Sequence, residues 1–271
     1  MSLRCLYCDL DGTLLGRGAS LLHDGEGAFT LLGVRALEAC SRVGAEVVLY
    51  SGRRRAQVGE DARLIGQGAY IFEAGAGLVL DRELHWLTGD LLPSELSIFE
   101  QIEASGAPAL LLDHYRGRFE YHSPWHVDRE VSHLFRGLVD VADADALLAE
   151  RDLGHLRLVD NGNVAHREDL TGLGQTRAYH LVPAAASKAG AVAAHMRARG
   201  YERESCIAVG DSREDMGAAA VVGTFWLVAN AIERDPTLRE EISKHGNVRV
   251  AEAAHGEGVY EAVVTTLAER R

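Results

Sequence analysis

Two aspartates near the N-terminus have a type and spacing suited to chemistry. The run CDLDGTLL places Asp9 directly after an apolar segment and Asp11 two positions later, followed by Gly12. Asp-Gly pairs are common in turns, but a DxDGT run directly after a buried strand is far rarer than the pair alone. Acidic residues just beyond the C-terminal end of a strand lie where open α/β sheets bind ligands. The pair therefore indicates a ligand-binding centre.

Three later segments place further polar groups at predicted strand ends or helix starts. Ser51 and Gly52 follow the apolar run AEVVLY and are expected to open a helix, so that a hydroxyl and free backbone N–H groups would face an anion. Lys188 lies in the first turn of another helix, and Asp211 follows a third strand with Asp215 four positions later. Each segment is weak by itself. Together they bring carboxylates, a hydroxyl and an ammonium group to strand ends in chain order, which is a specific combination.

The segments that must position these groups alternate short apolar strands with amphipathic helices at both ends of the chain. This pattern predicts an α/β fold, with a Rossmann-like doubly wound parallel sheet formed by residues 1–82 and 181–271. Residues 83–180 hold much of the histidine and aromatic content and mix strand-like with helical runs, which predicts an inserted α+β cap domain. Within it, the run LLLDHY is strand-like and residues 128–150 are expected to be helical. In the core, a helix is expected over residues 51–65.

These motifs resemble those of the haloacid dehalogenase-like hydrolases, and in particular the phosphatase branch of that family. DLDGT is similar to the first family motif, Ser51 to the second, SKAGAV to the third and GDSREDM to the fourth, over roughly residues 4–80 and 181–262. The resemblance implies that Asp9 is the nucleophile and Asp11 the acid/base. The implied phosphate ligands are Ser51, Gly52 and Lys188, the implied Mg²⁺ ligands are Asp9, Asp11 through its carbonyl and Asp211, and Asp215 is implied as a supporting residue.

The spacing of the motifs determines which type of cap is expected. Only 40 positions separate Asp11 from Ser51, too few for a helix and an inserted domain, whereas 137 positions separate Ser51 from Lys188. An insertion at that point resembles the type-two cap of this family, found in sucrose-phosphate and mannosyl-3-phosphoglycerate phosphatases. The resemblance favours a phosphorylated sugar or a related metabolite, whose leaving group the cap would contact. The candidate contact residues are Arg177, His180 and His166.

Other charged and histidine residues in these regions carry no such role. Arg53, Arg54 and Arg55 form a charge run at the expected helix start, and at least two of them are expected to form a solvated face. The spacing of His122, His126 and His133 matches no strong zinc motif.

One position departs from the family pattern. Many relatives have an asparagine before the last motif aspartate, where this chain has Glu214. Another anion beside the phosphate would oppose substrate binding by electrostatic repulsion. The effect of Glu214 therefore depends on whether its side chain points into the site.

Composition limits the classes of partner and location. The 271-residue chain has a formal charge of −12, which argues against nucleic-acid and anionic-membrane surfaces because both require basic patches. No run resembles a signal peptide or a transmembrane helix, so a cytoplasmic location is expected. Cys5 and Cys8 have CxxC spacing but lie in an apolar run, and we expect them to be buried strand residues.

A protein this acidic needs a local cation to bind phosphate. A phosphate dianion about 4 Å from a carboxylate is repelled by several kcal/mol at an effective dielectric of about 20. Mg²⁺ prefers hard oxygen ligands and would offset the charges of Asp9, Asp11 and Asp211.

The sequence thus predicts a Mg²⁺-dependent phosphoric monoester hydrolase that acts on a small phosphorylated metabolite through an aspartyl-phosphate on Asp9. A phosphosugar mutase would use the same intermediate but return the phosphoryl group to another sugar hydroxyl. A catalytically weak member of the fold would act as a binding or regulatory module. A dehalogenase is disfavoured by Asp11 and Asp211, since that reaction needs no Mg²⁺.

Overall fold

The computed structural model of the chain describes residues 2–164, 170 and 172–270. The strands are β1 (Cys5–Cys8), β2 (Glu46–Tyr50), β3 (Tyr70–Phe72), β4 (Gly77–Leu80), β5 (Glu83–Trp86), β6 (Phe119–Tyr121), β7 (His133–Gly137), β8 (Leu156–Val164), β9 (Thr176–Pro183), β10 (Cys206–Gly210), β11 (Thr224–Leu227) and β12 (Val248–Val250). The helices are α1 (Leu32–Arg42), α2 (Arg55–Leu64), α3 (Ile98–Ala104), α4 (Ala107–His114), α5 (Val141–Ala149), α6 (Lys188–Arg199), α7 (Arg213–Met216), α8 (Ala229–Arg234), α9 (Leu238–Ile242) and α10 (His255–Glu269).

The larger sheet has the strand order β12-β11-β10-β1-β2-β3-β4-β5. The pairs from β12 to β3 are parallel, and β4 and β5 extend the edge as an antiparallel hairpin. Helices α1, α2 and α10 pack against one face, and α6, α8 and α9 pack against the other. Because both faces are covered, strand β1 is apolar at every position and fully buried. The predicted doubly wound α/β core is confirmed.

The site-bearing loops lie at one edge of this sheet. Strand β1 is paired with β10 on one side and β2 on the other, all three parallel. Asp9, Ser51 and Asp211 each follow the last residue of one of these strands. Since parallel strands end on the same edge, the three side chains converge where the chain winds in opposite directions from β1.

A smaller antiparallel sheet has the order β6-β7-β9-β8 and encloses its own apolar cluster with α3, α4 and α5. Strand β5, at the beginning of the segment assigned from sequence to the cap, pairs with β4 in the larger sheet. Strand β9 continues to Pro183, beyond the end of that segment. No helix in the described part of the chain is long and apolar enough to cross a bilayer.

Two predictions for the smaller sheet region are wrong. The run LLLDHY falls mostly in helix α4. This helix begins after Gly106, whose backbone is in the left-handed conformation, and has a proline in its first turn. A short apolar run does not by itself distinguish a strand from a buried helix. Residues 128–150 are not a single helix, because 133–137 form strand β7, which is paired on both sides by β6 and β9.

The helix predicted from Ser51 begins later, at Arg55. Backbone carbonyls of this segment accept hydrogen bonds from a neighbouring segment instead of from a helix. Glu73 N–H donates to the Arg53 carbonyl at 3.0 Å, and Ala74 N–H donates to the Ser51 carbonyl at 3.1 Å. Ser51 and Gly52 therefore form a loop held against residues 71–74, and their N–H groups are not those of a helix N-terminus.

Candidate active site

Asp9 lies at the centre of the convergent loops. It follows β1, is only 4% exposed, and its Oδ1 accepts a hydrogen bond from Lys188 Nζ at 2.9 Å. Lys188 is 1% exposed and donates a second bond to Asp215 Oδ1 at 2.5 Å. It occupies the first position of α6, whose N-cap Ser187 accepts from Gly190 N–H as the sequence predicts.

Three carboxylates meet at this point. Asp9, Asp211 and Asp215 each place a carboxylate oxygen within 4.8 Å of the others. Asp215 is fixed by Ser212, whose hydroxyl donates to its Oδ2 at 2.6 Å. Within the cluster, the buried cation is Lys188, and Asp211 is approached from outside by Arg234 at 3.5 Å. The cluster therefore holds more negative than positive charge.

The protonation equilibria reflect this imbalance. Burial raises the pKa of Asp9 to about 7, against the opposing effect of Lys188. Burial, together with the charges of Asp9 and Asp215, also raises the pKa of Asp211 well above its ordinary value. Burial alone would lower the pKa of Lys188, but the carboxylates of Asp215 and Asp9 outweigh it and raise that pKa. An excess of buried carboxylate oxygens is the donor set that a hard divalent cation such as Mg²⁺ prefers, so the residues present fit a metal ion.

Asp11 is directed differently from Asp9. Its side chain is 55% exposed, and its two oxygens accept from Arg53 Nη2 at 2.6 Å and Nε at 2.7 Å. Arg53 also pairs with Asp61 at 2.9 Å. Its bidentate pairing draws Arg53 into the site, so Arg53 is not one of the at least two arginines expected to form a solvated face. Arg54 and Arg55 form ion pairs with Asp128 and Glu130.

A cavity of about 570 Å³ opens above these residues. Its wall includes every core residue assigned a role from sequence: Asp9, Asp11, Ser51, Gly52, Lys188, Asp211 and Asp215. The segments of the smaller sheet supply the facing side, with His122, Trp125, Arg129, Asn161 and His180. The nucleophile candidate, the lysine and the acidic cluster thus line the same cavity.

The three cap candidates have different outcomes. His180 lines the cavity, is 1% exposed and lies 3.1 Å from Ser132 Oγ through its Nδ1. Burial lowers the pKa of His180 well below its ordinary value, so the ring is neutral. Arg177 is occupied by ion pairs to Asp160 at 2.6 Å and Asp235 at 3.1 Å, outside this cavity. His166 lies outside the described residues.

Glu214 points away from the cavity. Its Oε1 accepts from the Lys188 backbone N–H at 3.3 Å and from Arg157 Nη2 at 3.2 Å. A carboxylate at the start of α6 is favoured by the helix dipole, and Arg157 offsets its charge. The departure from the family pattern therefore places no additional anion beside the acidic cluster.

The two sheet regions are joined beside Gly52. Arg129 Nη1 donates to the Gly52 carbonyl at 3.1 Å and to Ser132 Oγ at 2.9 Å. The buried carboxylate of Glu73 accepts from Ser132 N–H at 2.6 Å and Val131 N–H at 3.1 Å. The loop that carries Ser51 is thus tied to the facing segment. Sequence reasoning missed these residues, because no motif or spacing links positions 73 and 129 to the strand ends.

Replacing Gly52 with alanine is expected to destabilise the protein. A Cβ at this position would lie 2.7 Å from His180 Nε2 and 2.9 Å from Asn161 Nδ2. Such overpacking costs about 1–3 kcal/mol in the free energy of unfolding. Urea unfolding should show this loss, and adding His180→Ala to Gly52→Ala should restore part of it.

Gly68→Ala is the matched control, since a Cβ there meets no atom within 4 Å. Equal stability of Gly52→Ala and the wild type, or an additive double variant, would contradict the close packing of His180 on this loop.

No family model matches the chain. A phosphoglycolate phosphatase from Methanothermobacter thermautotrophicus is 27% identical over 263 residues, which cover 96% of this chain and 97% of that protein. The crystal structure of the sucrose-phosphatase from Synechocystis, in complex with sucrose and phosphate, matches with a TM-score of 0.68 and 15% identity over 98% of both chains.

A third relative has the same fold. The structure of a phosphatase of the HAD superfamily from Bacteroides thetaiotaomicron matches with a TM-score of 0.65 and 15% identity, covering 98% of this chain and 95% of that one. These likenesses confirm the predicted fold and agree with the resemblance drawn from the motifs. The named phosphatases among these relatives agree with the enzyme class predicted from the sequence.

Proposed function

We propose that this chain, which shares the fold and the motifs of the haloacid dehalogenase-like phosphatases, is a Mg²⁺-dependent hydrolase of small phosphate monoesters. The observation that carries the proposal is the position of Asp9. It is a buried carboxylate on the wall of a cavity, bonded to Lys188 and next to two further carboxylates. A carboxylate held in this way beside a fixed cation is suited to nucleophilic attack on phosphorus.

The first step forms a bond between an Asp9 carboxylate oxygen and phosphorus while the ester P–O bond breaks. Asp11 gives a proton to the departing alkoxide, which leaves as the alcohol. In the second step a water molecule attacks the phosphorus of the aspartyl-phosphate. Asp11 accepts its proton, the bond between phosphorus and the Asp9 oxygen breaks, inorganic phosphate is released and the Asp9 carboxylate is regenerated. Lys188 lowers the energy of the charge on the transferring group.

Asp11 must leave Arg53 before it can act as an acid. In the structure both of its oxygens accept hydrogen bonds from the guanidinium, so neither is available to a leaving group. Substrate entry is therefore proposed to separate this pair. Asp215 acts through Lys188, which it holds at 2.5 Å, and is a positioning residue.

Asp9 and Asp211, with the backbone carbonyl of Asp11, are proposed to hold the magnesium ion. When bound, the ion would supply positive charge that offsets the repulsion between the phosphate and the three carboxylates. Gly12 allows the loop to come this close, because it has φ +85° and an added Cβ would lie 2.2 Å from Asp211 Oδ2.

The leaving group is proposed to be a small polar one, such as a sugar or a related metabolite. The cavity volume of about 570 Å³ suits a ligand of that size. Its facing side combines the amide of Asn161 with the rings of His122 and Trp125, which suits a hydroxylated group. Phosphoglycolate and sucrose phosphate, the substrates implied by the relatives' names, are the first compounds to test.

Release of phosphate from p-nitrophenyl phosphate tests the proposal directly. The purified protein with Mg²⁺ should liberate inorganic phosphate without any acceptor, and a panel of phosphorylated metabolites ranked by kcat/KM should identify the substrate class. Turnover that requires a sugar acceptor and leaves little free phosphate would establish a mutase instead. If Mg²⁺ is shown to be bound and no compound is turned over, the protein would be a binding module and not a phosphatase.

Mg²⁺ is expected to stabilise the protein as well as to activate it. An ion that binds the native state and not the unfolded chain raises the free energy of unfolding by about 2.7 kcal/mol at a concentration 100 times its Kd. Differential scanning fluorimetry should show a higher Tm with MgCl₂ than with excess chelator, and activity should disappear in the chelator. Asp211→Asn should reduce the Tm shift, whereas Asp113→Asn, at an exposed position, should retain it. Full activity in chelator would overturn the metal dependence.

A further inference from the structure

A second group of metal-binding side chains lies at the opposite end of strand β1 from Asp9. Cys5 begins β1, Glu46 begins the neighbouring β2, and His195 lies on α6. Each offers one donor atom, and the three donor atoms lie within 4.8 Å of one another. Cys5 and His195 are completely buried, and Glu46 reaches the surface with 18% of its side chain.

The histidine has the arrangement of a metal ligand. Its Nδ1 lies 2.8 Å from the Tyr7 hydroxyl, whereas its Nε2 makes no hydrogen bond within the described part of the chain. Nε2 lies 3.5 Å from Glu46 Oε2 without the alignment of a bond. Histidines that bind metals almost always have the other ring nitrogen bonded to an oxygen, which fixes the ring. A buried ring nitrogen that makes this ion-pair contact but no hydrogen bond is under-satisfied, and a metal ion between it and Glu46 would bind both.

Glu46 is also held in place from outside. Tyr201 donates to its Oε2 at 2.9 Å, and Arg199 Nη2 donates to its Oε1 at 3.2 Å. Tyr201 bonds the same oxygen, Oε2, that lies 3.5 Å from His195 Nε2, and a carboxylate oxygen has a second lone pair that an ion can use. Cys8 does not take part, because it packs in the apolar cluster on the other face of the sheet from Cys5.

We propose that Cys5, Glu46 and His195 form a zinc site. A thiolate, a carboxylate and a neutral imidazole together neutralise a divalent ion, and this mixture of sulfur, nitrogen and oxygen suits Zn²⁺, whereas Mg²⁺ takes oxygen ligands alone. On binding, the Cys5 thiol releases its proton to solvent, Nε2 binds the ion, and Nδ1–H donates to the Tyr7 hydroxyl oxygen. Zinc–ligand bonds of about 2.0–2.3 Å bring such atoms to within about 4 Å of one another, so the side chains need to close by roughly 1 Å or less.

The site would act on structure rather than on the reaction. Strand β1 carries Asp9 at its far end, about 13 Å away at the usual rise of a strand. Helix α6 carries Lys188 at its start, two turns before His195. A metal ion joining β1, β2 and α6 would therefore fix the elements that bring Asp9 and Lys188 together.

The test uses the full-length protein, stripped of metal and then saturated with Mg²⁺ so that the carboxylate cluster is occupied. Titration with ZnCl₂ should load one equivalent, measured by mass spectrometry of the metal, and should raise the Tm. Co²⁺ in place of zinc should give visible absorption with a thiolate charge-transfer band.

Cys5→Ser and His195→Gln should each weaken zinc binding by about 100-fold or more and remove the thiolate band or alter it. Cys40→Ser is the matched control, since Cys40 is a buried free cysteine on α1, and it should bind normally. Asp211→Asn should also retain zinc uptake, which separates this site from the proposed catalytic one.

The partly exposed Glu46→Gln keeps the test valid if the core variants fail to fold. The proposal is overturned if the wild type takes up no zinc under these conditions, or if uptake persists unchanged in Cys5→Ser, His195→Gln or Glu46→Gln while Asp211→Asn abolishes it. Either result leaves the proposed phosphatase activity untouched, since that depends on Asp9 and Mg²⁺.

Discussion

Asp9→Asn is expected to lower kcat for phosphate-ester hydrolysis by about three orders of magnitude or more. Losses of this size follow when the attacking group of a covalent mechanism is removed. The amide keeps the shape of the carboxylate, but its oxygen is neutral and a poor nucleophile. The substitution also removes one of three crowded carboxylates, so we expect no large loss of stability in the absence of metal.

Phosphate release, measured under saturating substrate and Mg²⁺, checks the rate, and urea unfolding checks the fold. Asp113→Asn is the control for an aspartate in the exposed part of the smaller sheet region and should keep wild-type activity. A variant at position 9 that folds normally and turns over substrate at a comparable rate would remove Asp9 from the mechanism and with it the proposed function.

Lys188→Met is expected to be the most destabilising single change in the site. The ammonium group is buried and donates to both Asp9 and Asp215, and its removal leaves these carboxylates without the cation that faces them. Breaking a buried ion pair from one side typically costs about 3–5 kcal/mol. Activity should also be lost, because the same charge stabilises the transferring phosphoryl group.

A double variant distinguishes this electrostatic explanation from a simple disruption of packing. Adding Asp9→Asn to Lys188→Met should restore part of the unfolding free energy while activity remains absent. Lys244→Met, at a lysine with 57% side-chain exposure, should change stability by no more than a surface substitution usually does. A strictly additive double variant would show that the charges of residues 9 and 188 do not interact as the structure indicates.

The convergence of three candidate site residues follows from the sequence for a specific physical reason. Asp9, Ser51 and Asp211 each follow a parallel strand, and parallel strands end on one edge, so local sequence order is enough to bring them together. The position of Lys188 in the first turn of a helix is predicted from Ser187, because serine is a preferred N-cap residue.

The remaining part of the site depends on contacts between distant segments. Asp11 and Arg53 are 42 positions apart in the sequence. Glu73 and the backbone N–H groups that donate to it are separated by about 58 positions. No periodicity or cap residue indicates such pairings. The helix expected at Ser51 begins four residues later for the same reason, because residues 71–74 compete for its backbone groups.

The contact between Glu214 and Arg157 has a consequence for how this lineage can change. The acid lies on a core helix and the base on a strand of the smaller sheet, so a neutral residue at either position would leave the opposite charge stranded in a partly buried space. Substitution at one site should therefore be tolerated in evolution mainly when the other changes with it. Among descendants and close homologues, an asparagine at 214 should accompany the loss of the arginine at 157.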